Sequence, residues 1–117
     1  MESDTDHIAA QQAQLRQWSI DGTADFTRTF GVAPGRWLQM EAESGVEGAI
    51  KRLLSPDWPE TSWVPVLTQL WEAHRLQWSA EAAALRFSLL FGPEHRAEAQ
   101  RRLEQFGYDA DANSTER

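Results

Sequence analysis

SAEAAALRFSLLFGPEHRAEAQRRLEQFGY, residues 79–108, is the stretch that decides the fold class. Ser79 offers the side-chain oxygen that a helix start needs, and Ala83, Leu85, Phe87 and Leu90 follow it as an apolar set. Gly92-Pro93 then begins another helix. Proline lacks an amide hydrogen that the first turn would leave unbonded anyway, and its φ is already helical. Ala97, Leu103 and Phe106 make the apolar stripe of that helix, and Gly107 supplies a left-handed stop. Proline at the start and glycine past the end is the punctuation of a well-bounded helix.

Moving upstream, the same pattern repeats. Thr61 or Ser62 opens a helix with Trp63, Val66, Leu67, Leu70, Trp71 and His74 along one broad face. SWVPVL, residues 62–67, comes nearest to a strand, but Pro65 suits a helical first turn better than a sheet interior. SPDWPE, residues 55–60, is too rich in proline for a helix and reads as a turn. Ser44 and Glu47 have the spacing of a capping box, opening a helix that turns Val46, Ile50, Leu53 and Leu54 inward. Pro34 suits the start of a helix carrying Trp37, Leu38 and Met40. Thr23 caps a short helix with Phe26 and Phe30, closed by Gly31. A first helix over about residues 5–20 carries Ile8, Leu15 and Trp18 and ends at Asp21-Gly22.

The expected fold is therefore all-α, a compact orthogonal bundle of about six or seven short helices. Residues 7–108 form one domain. Residues 1–6 and 109–117 are polar and aperiodic and read as tails.

Composition narrows the function classes. There is no cysteine, which removes disulfides, thiolate metal sites and a cysteine nucleophile together. No apolar run approaches the roughly 18 residues that span a bilayer, and the acidic start MESDTDHIAAQQAQ is unlike a signal peptide. A cytoplasmic location is the expectation. The formal net charge of −7 disfavours nucleic acid as the main partner, since phosphate recognition needs a basic surface.

Chemistry-bearing patterns are sparse. His7, His74 and His95 are scattered, with His74 expected half-buried and the other two in solvent, so no metal site is expected. The serines fall at caps and turns, and neither a nucleophile elbow nor a glycine-rich phosphate loop occurs. No catalytic residue and no cofactor is expected. Two basic pairs, Lys51-Arg52 and Arg101-Arg102, could form a small positive patch for nucleic acid, although Glu47, Glu98 and Glu104 lie beside them.

Six tryptophans are the most unusual feature of the composition. Trp63, Trp71 and Trp37 are expected in the core. Trp58, in the proline-rich turn, and Trp78, beside a helix start, are the candidates for anchoring a partner.

The strings GRWLQMEAESGVEGAIKRLL, LTQLWEAHRLQWSAEAAAL and LFGPEHRAEAQRRLEQFGY together resemble a pattern of small, uncharacterised bacterial all-helical proteins. Its elements are Lys-Arg-Leu-Leu, then Leu-Trp-Glu with Arg-Leu, then Leu-Phe, Glu, Ala, Arg-Leu and Gly-Tyr. The insertion PDWPETSWVPV and the pair Gln77-Trp78 depart from it. The resemblance implies a helical fold and a bacterial cytoplasmic origin, and it carries no site residues.

The expected function is a non-catalytic protein-protein interaction module of accessory, regulatory or immunity type, with an acidic surface and aromatic anchors. Its partner would be another protein, with a homodimer as one version. The alternatives are nucleic-acid binding through the Lys/Arg patch and an enzyme using carboxylates with His74.

Overall fold

Residues Asp4–Phe30 form one unbroken helix, α1, in the computed structural model, which describes residues 4–108. The sequence suggested two helices parted at Asp21-Gly22. A glycine inside a helix costs about 1 kcal/mol relative to alanine, so a break there was the cheaper local choice. The tertiary structure overrides it. Trp78 lies against Gly22 so closely that an added Cβ would stand 2.7 Å from its ring. Gly22 is a notch for an indole, and the helix passes through it. The true stop is Gly31, whose φ of 77° costs glycine nothing and strains most other residues.

Helix α2 spans Gly35–Leu53 and bends at Gly45, where φ is 76° and ψ is 170°. The bend falls where the sequence separates two helices, but the capping box is not made. Ser44 Oγ instead accepts from Arg52, and the Glu47 carboxylate pairs with Lys51 at 3.1 Å. Helix α3, Glu60–Glu72, carries Pro65 inside it, so the exposed Thr61 carbonyl lacks its helical donor. It ends before His74, which takes the left-handed conformation (φ 58°) while the Arg75 amide donates to the Leu70 carbonyl at 2.7 Å. A non-glycine stop of this kind has no clear sequence mark, which is why the helix was expected to reach His74.

A 3-10 turn at Leu76–Trp78 leads to Ser79, whose hydroxyl accepts from the Ala82 amide at 3.0 Å and caps α4, Ala80–Arg86, as expected. A second 3-10 turn, Ser88–Leu90, precedes α5, Pro93–Glu104. The described residues thus hold five α-helices rather than six or seven, and no strand. Helix α1 also takes in residues 4–6, which the sequence assigned to a tail. The expected tail at 109–117 lies outside the described residues.

The short α4 is the centre of the packing. Glu81, Ala82, Ala83 and Ala84 are all buried, so this helix meets neighbours over most of its circumference, with Arg86 left in solvent. Its alanines let them approach closely. Ala83, Ala84 and Phe87 join Leu15 and Trp18 of α1, Ile50 at the end of α2, and Ala99 of α5. Ala82 faces a second cluster of Trp63, Leu67 and Leu70 from α3, with Leu76 and Leu103. Two expectations are corrected here. Trp71 is 50% exposed rather than core, and Ala97 faces solvent while Ala99 and Arg102 turn inward.

Replacing Gly22 with Ala is expected to destabilise the fold by about 1–2 kcal/mol, because displacing a packed ring outweighs the gain in helix propensity. Gly35, which also lies in a helix, has open space around its would-be Cβ. Gly35→Ala is the control, expected within about 0.5 kcal/mol of neutral or stabilising. Urea denaturation of both variants compares them directly.

A tryptophan-walled cavity over a buried arginine as candidate functional site

Arg102 of α5 is completely shielded from solvent. Its spacing from Glu98, one helical turn earlier, brings Nε to that carboxylate at 2.7 Å. Nη1 donates to Glu81 of α4 at 2.9 Å and to the Leu53 carbonyl at 2.7 Å, and Nη2 donates to the Ser55 carbonyl at 3.1 Å. Leu53 ends α2, so Arg102 satisfies a carbonyl that a helix C-terminus leaves free, and it shares the Ser55 carbonyl with the Trp58 amide, which donates to it at 3.0 Å. The Trp63 ring lies 5.0 Å from the guanidinium carbon.

The two carboxylates differ. Burial pushes the Glu81 carboxyl above its ordinary range, only partly offset by the Arg102 hydrogen bond and charge. Burial acts on Glu98 in the same direction, but hydrogen bonds from Arg101 and Arg102 outweigh it and hold that group below the ordinary range.

Beside this network opens a cavity of about 160 Å³, lined by five of the six tryptophans: Trp18, Trp37, Trp58, Trp63 and Trp78. Its walls are fixed. Trp18 meets Trp37 edge-on with centroids 6.1 Å apart and lies 6.2 Å from Trp78. The Trp18 indole N–H donates to the Gln77 carbonyl, and the Trp37 indole N–H to Ser19 Oγ, which in turn donates to Glu41. Asp25 pairs with Arg75 at 2.8 Å, and both belong to the lining. Arg36 lies over the Trp58 ring, 5.1 Å from its centroid.

Both tryptophans singled out in the sequence, Trp58 and Trp78, are half-buried and line this same cavity, although 20 positions separate them in the chain. Trp71 stands elsewhere, against Phe106 and beside a second, more open pocket shared with His74. The basic pairs do not make an open patch. Arg102 is buried, which takes it off the surface altogether. Lys51 pairs with Glu47, Arg52 with Glu43 and Arg101 with Glu98. His74 is exposed and His95 is half-buried with its Nδ1 unbonded, the reverse of the expected order. Among the described residues, no group of three or more His, Asp and Glu side chains is placed to hold a metal ion.

Sequence reasoning missed the Arg102 network. The signal was present: residues 99, 102, 103 and 106 share one helical face, and three of these are apolar, so Arg102 had to be inward. Trp18 and Trp37 as cavity walls had no local mark, since they depend on how α1 and α2 meet. Comparison of the chain with protein-family models, curated proteins and solved structures finds no match.

Replacing Arg102 with Met would leave Glu81 and Glu98 buried without it. Loss of one partner of a buried ion pair costs about 3–5 kcal/mol, and that loss is expected at pH 7 by chemical denaturation. Because Glu81 already has a raised folded-state pKa, its protonated form is favoured in the fold, and it contributes stability that is lost as pH rises. Without Arg102 that shift grows, so the deficit of the variant is expected to narrow towards pH 4.5. Adding Glu81→Gln should recover part of the loss at pH 7. An Arg102→Met deficit that does not change with pH would show that the carboxylates are not its cause.

Proposed function

We propose that this chain is a non-catalytic protein-interaction module, of accessory, regulatory or immunity type, that receives an apolar side chain of another protein in the tryptophan-walled cavity. The observation that carries this reading is the meeting of Trp58 and Trp78, both partly exposed, on one cavity with rigid walls. The cavity opens to the surface between the indoles, and a partner side chain that enters it would gain packing contacts with several of them. Aromatic residues in such a setting are the usual anchors of an interface.

The net charge of −7 favours a partner that is basic overall, and would raise the rate of encounter more than the final affinity. The orthogonal bundle and the bacterial cytoplasmic setting expected from the sequence are consistent with such a role. No helix among the described residues is long and apolar enough to cross a membrane. The burial of Arg102 and the pairing of Lys51, Arg52 and Arg101 weigh against the nucleic-acid alternative. His74 lies on the other pocket from Glu81, which weighs against a joint catalytic role.

The test is affinity capture by the tagged chain, with a Trp58→Ala/Trp78→Ala variant beside it and binding of the captured protein then measured directly. One protein partner is expected, with at least tenfold weaker affinity for the folded variant. Equal affinity for both forms would remove the cavity from recognition, and salt-sensitive recovery of nucleic acid would favour the basic pairs instead.

A further inference from the structure

We infer that the cavity recognises the free carboxyl terminus of a partner chain ending in a large apolar residue, with the terminal side chain among the tryptophans and the terminal carboxylate on Arg36. The inference rests on the protein-interaction reading and names the group recognised.

Charge around the cavity carries it. Three arginines belong to the lining, Arg36, Arg75 and Arg102, and carboxylates neutralise two of them. Arg75 pairs with Asp25 at 2.8 Å, and Arg102, sealed from water, pairs with both Glu81 at 2.9 Å and Glu98 at 2.7 Å. Arg36 is exposed and has no carboxylate partner among the described residues. It lies over the Trp58 ring, and a guanidinium in that position keeps its donors available for a bidentate carboxylate. The distant field of the chain repels anions but is screened beyond about 10 Å at 0.1 M salt, so an anion is selected only at contact.

Size and the rim complete the argument. A cavity of about 150 Å³ holds one benzene ring, so 160 Å³ accommodates one large apolar side chain. Two other lining residues reach solvent, Phe30, which is half-buried, and Val66, which is 52% exposed. A free one-ring acid would leave Val66 in water, whereas the preceding residues of a peptide would cover it. A chain terminus supplies the apolar group, the carboxylate and the cover together.

The probes are the acetylated hexapeptide GSGVVF as free acid, the same peptide as C-terminal amide, and phenylacetate, each titrated calorimetrically into the intact protein. The acid is expected to bind at least tenfold more tightly than the amide or phenylacetate. Arg36→Ala should remove the preference for the acid, so that acid and amide bind the variant equally. Equal binding of acid and amide by the unaltered protein, or an acid affinity unchanged by Arg36→Ala, overturns carboxylate recognition while leaving the cavity as an apolar socket for protein. Phenylacetate binding as tightly as the peptide acid overturns a chain terminus as the source. No binding of the acid overturns the inference outright, and capture of a partner sensitive to Trp58→Ala/Trp78→Ala would then show that the broader reading survives.

Discussion

A guanidinium sealed from water must find acceptors for its hydrogens and a counter-charge for itself, or it cannot be buried at all. Arg102 meets both demands at once with Glu81, Glu98 and the carbonyls of Leu53 and Ser55. Those four partners belong to α4, α5, the end of α2 and the turn after it. Each of these pieces is placed by the need to reach one side chain. The Ser55 carbonyl fixes the start of the proline-rich turn, and Trp58 follows three residues later. The position of a cavity wall thus depends on an arginine that sits behind it.

The same constraint explains the composition of α4. A helix of seven residues has little stability of its own and depends on tertiary contacts. Three consecutive buried alanines make those contacts available on several sides without large side chains to hold the neighbours apart. Helices α1, α2, α3 and α5 then cannot fill all the space with aliphatic groups, and the tryptophans close what remains only in part. The cavity is left where bulky, rigid indoles meet around Trp18 and cannot interdigitate as flexible side chains would.

The helical class and most helix ends were legible because they are encoded locally. Ser79 caps α4 and Pro93 opens α5 as their chemistry requires, and Gly31 and Gly107 both take positive φ. What could not be read locally was anything decided by a distant residue. Gly22 has the same local character as a stop, and only Trp78, far along the chain, makes it part of a continuous helix. Ser44 and Glu47 had the spacing of a cap, but Arg52 and Lys51 claim their side chains. Trp58 and Trp78 were legible as unusual tryptophans from their places in turns. That they share a wall with Trp18, Trp37 and Trp63 follows from packing alone, and so does the exposure of Trp71, which lies on the far edge of α3's apolar face.

The contacts of Arg102 with the carbonyls of Leu53 and Ser55 join positions 49 and 47 apart in the chain. This long separation sets an order of assembly during synthesis. Helices α1 to α3 precede α5 in the chain, yet the end of α2 and the turn bearing Trp58 have their Arg102 contacts only once α5 is in place. Until then the indoles of α1, α2 and α3 have no finished enclosure and stand open to any apolar surface nearby. The last described helix therefore closes contacts that the earlier ones cannot complete by themselves, and long sequence separation makes such contacts slow to form.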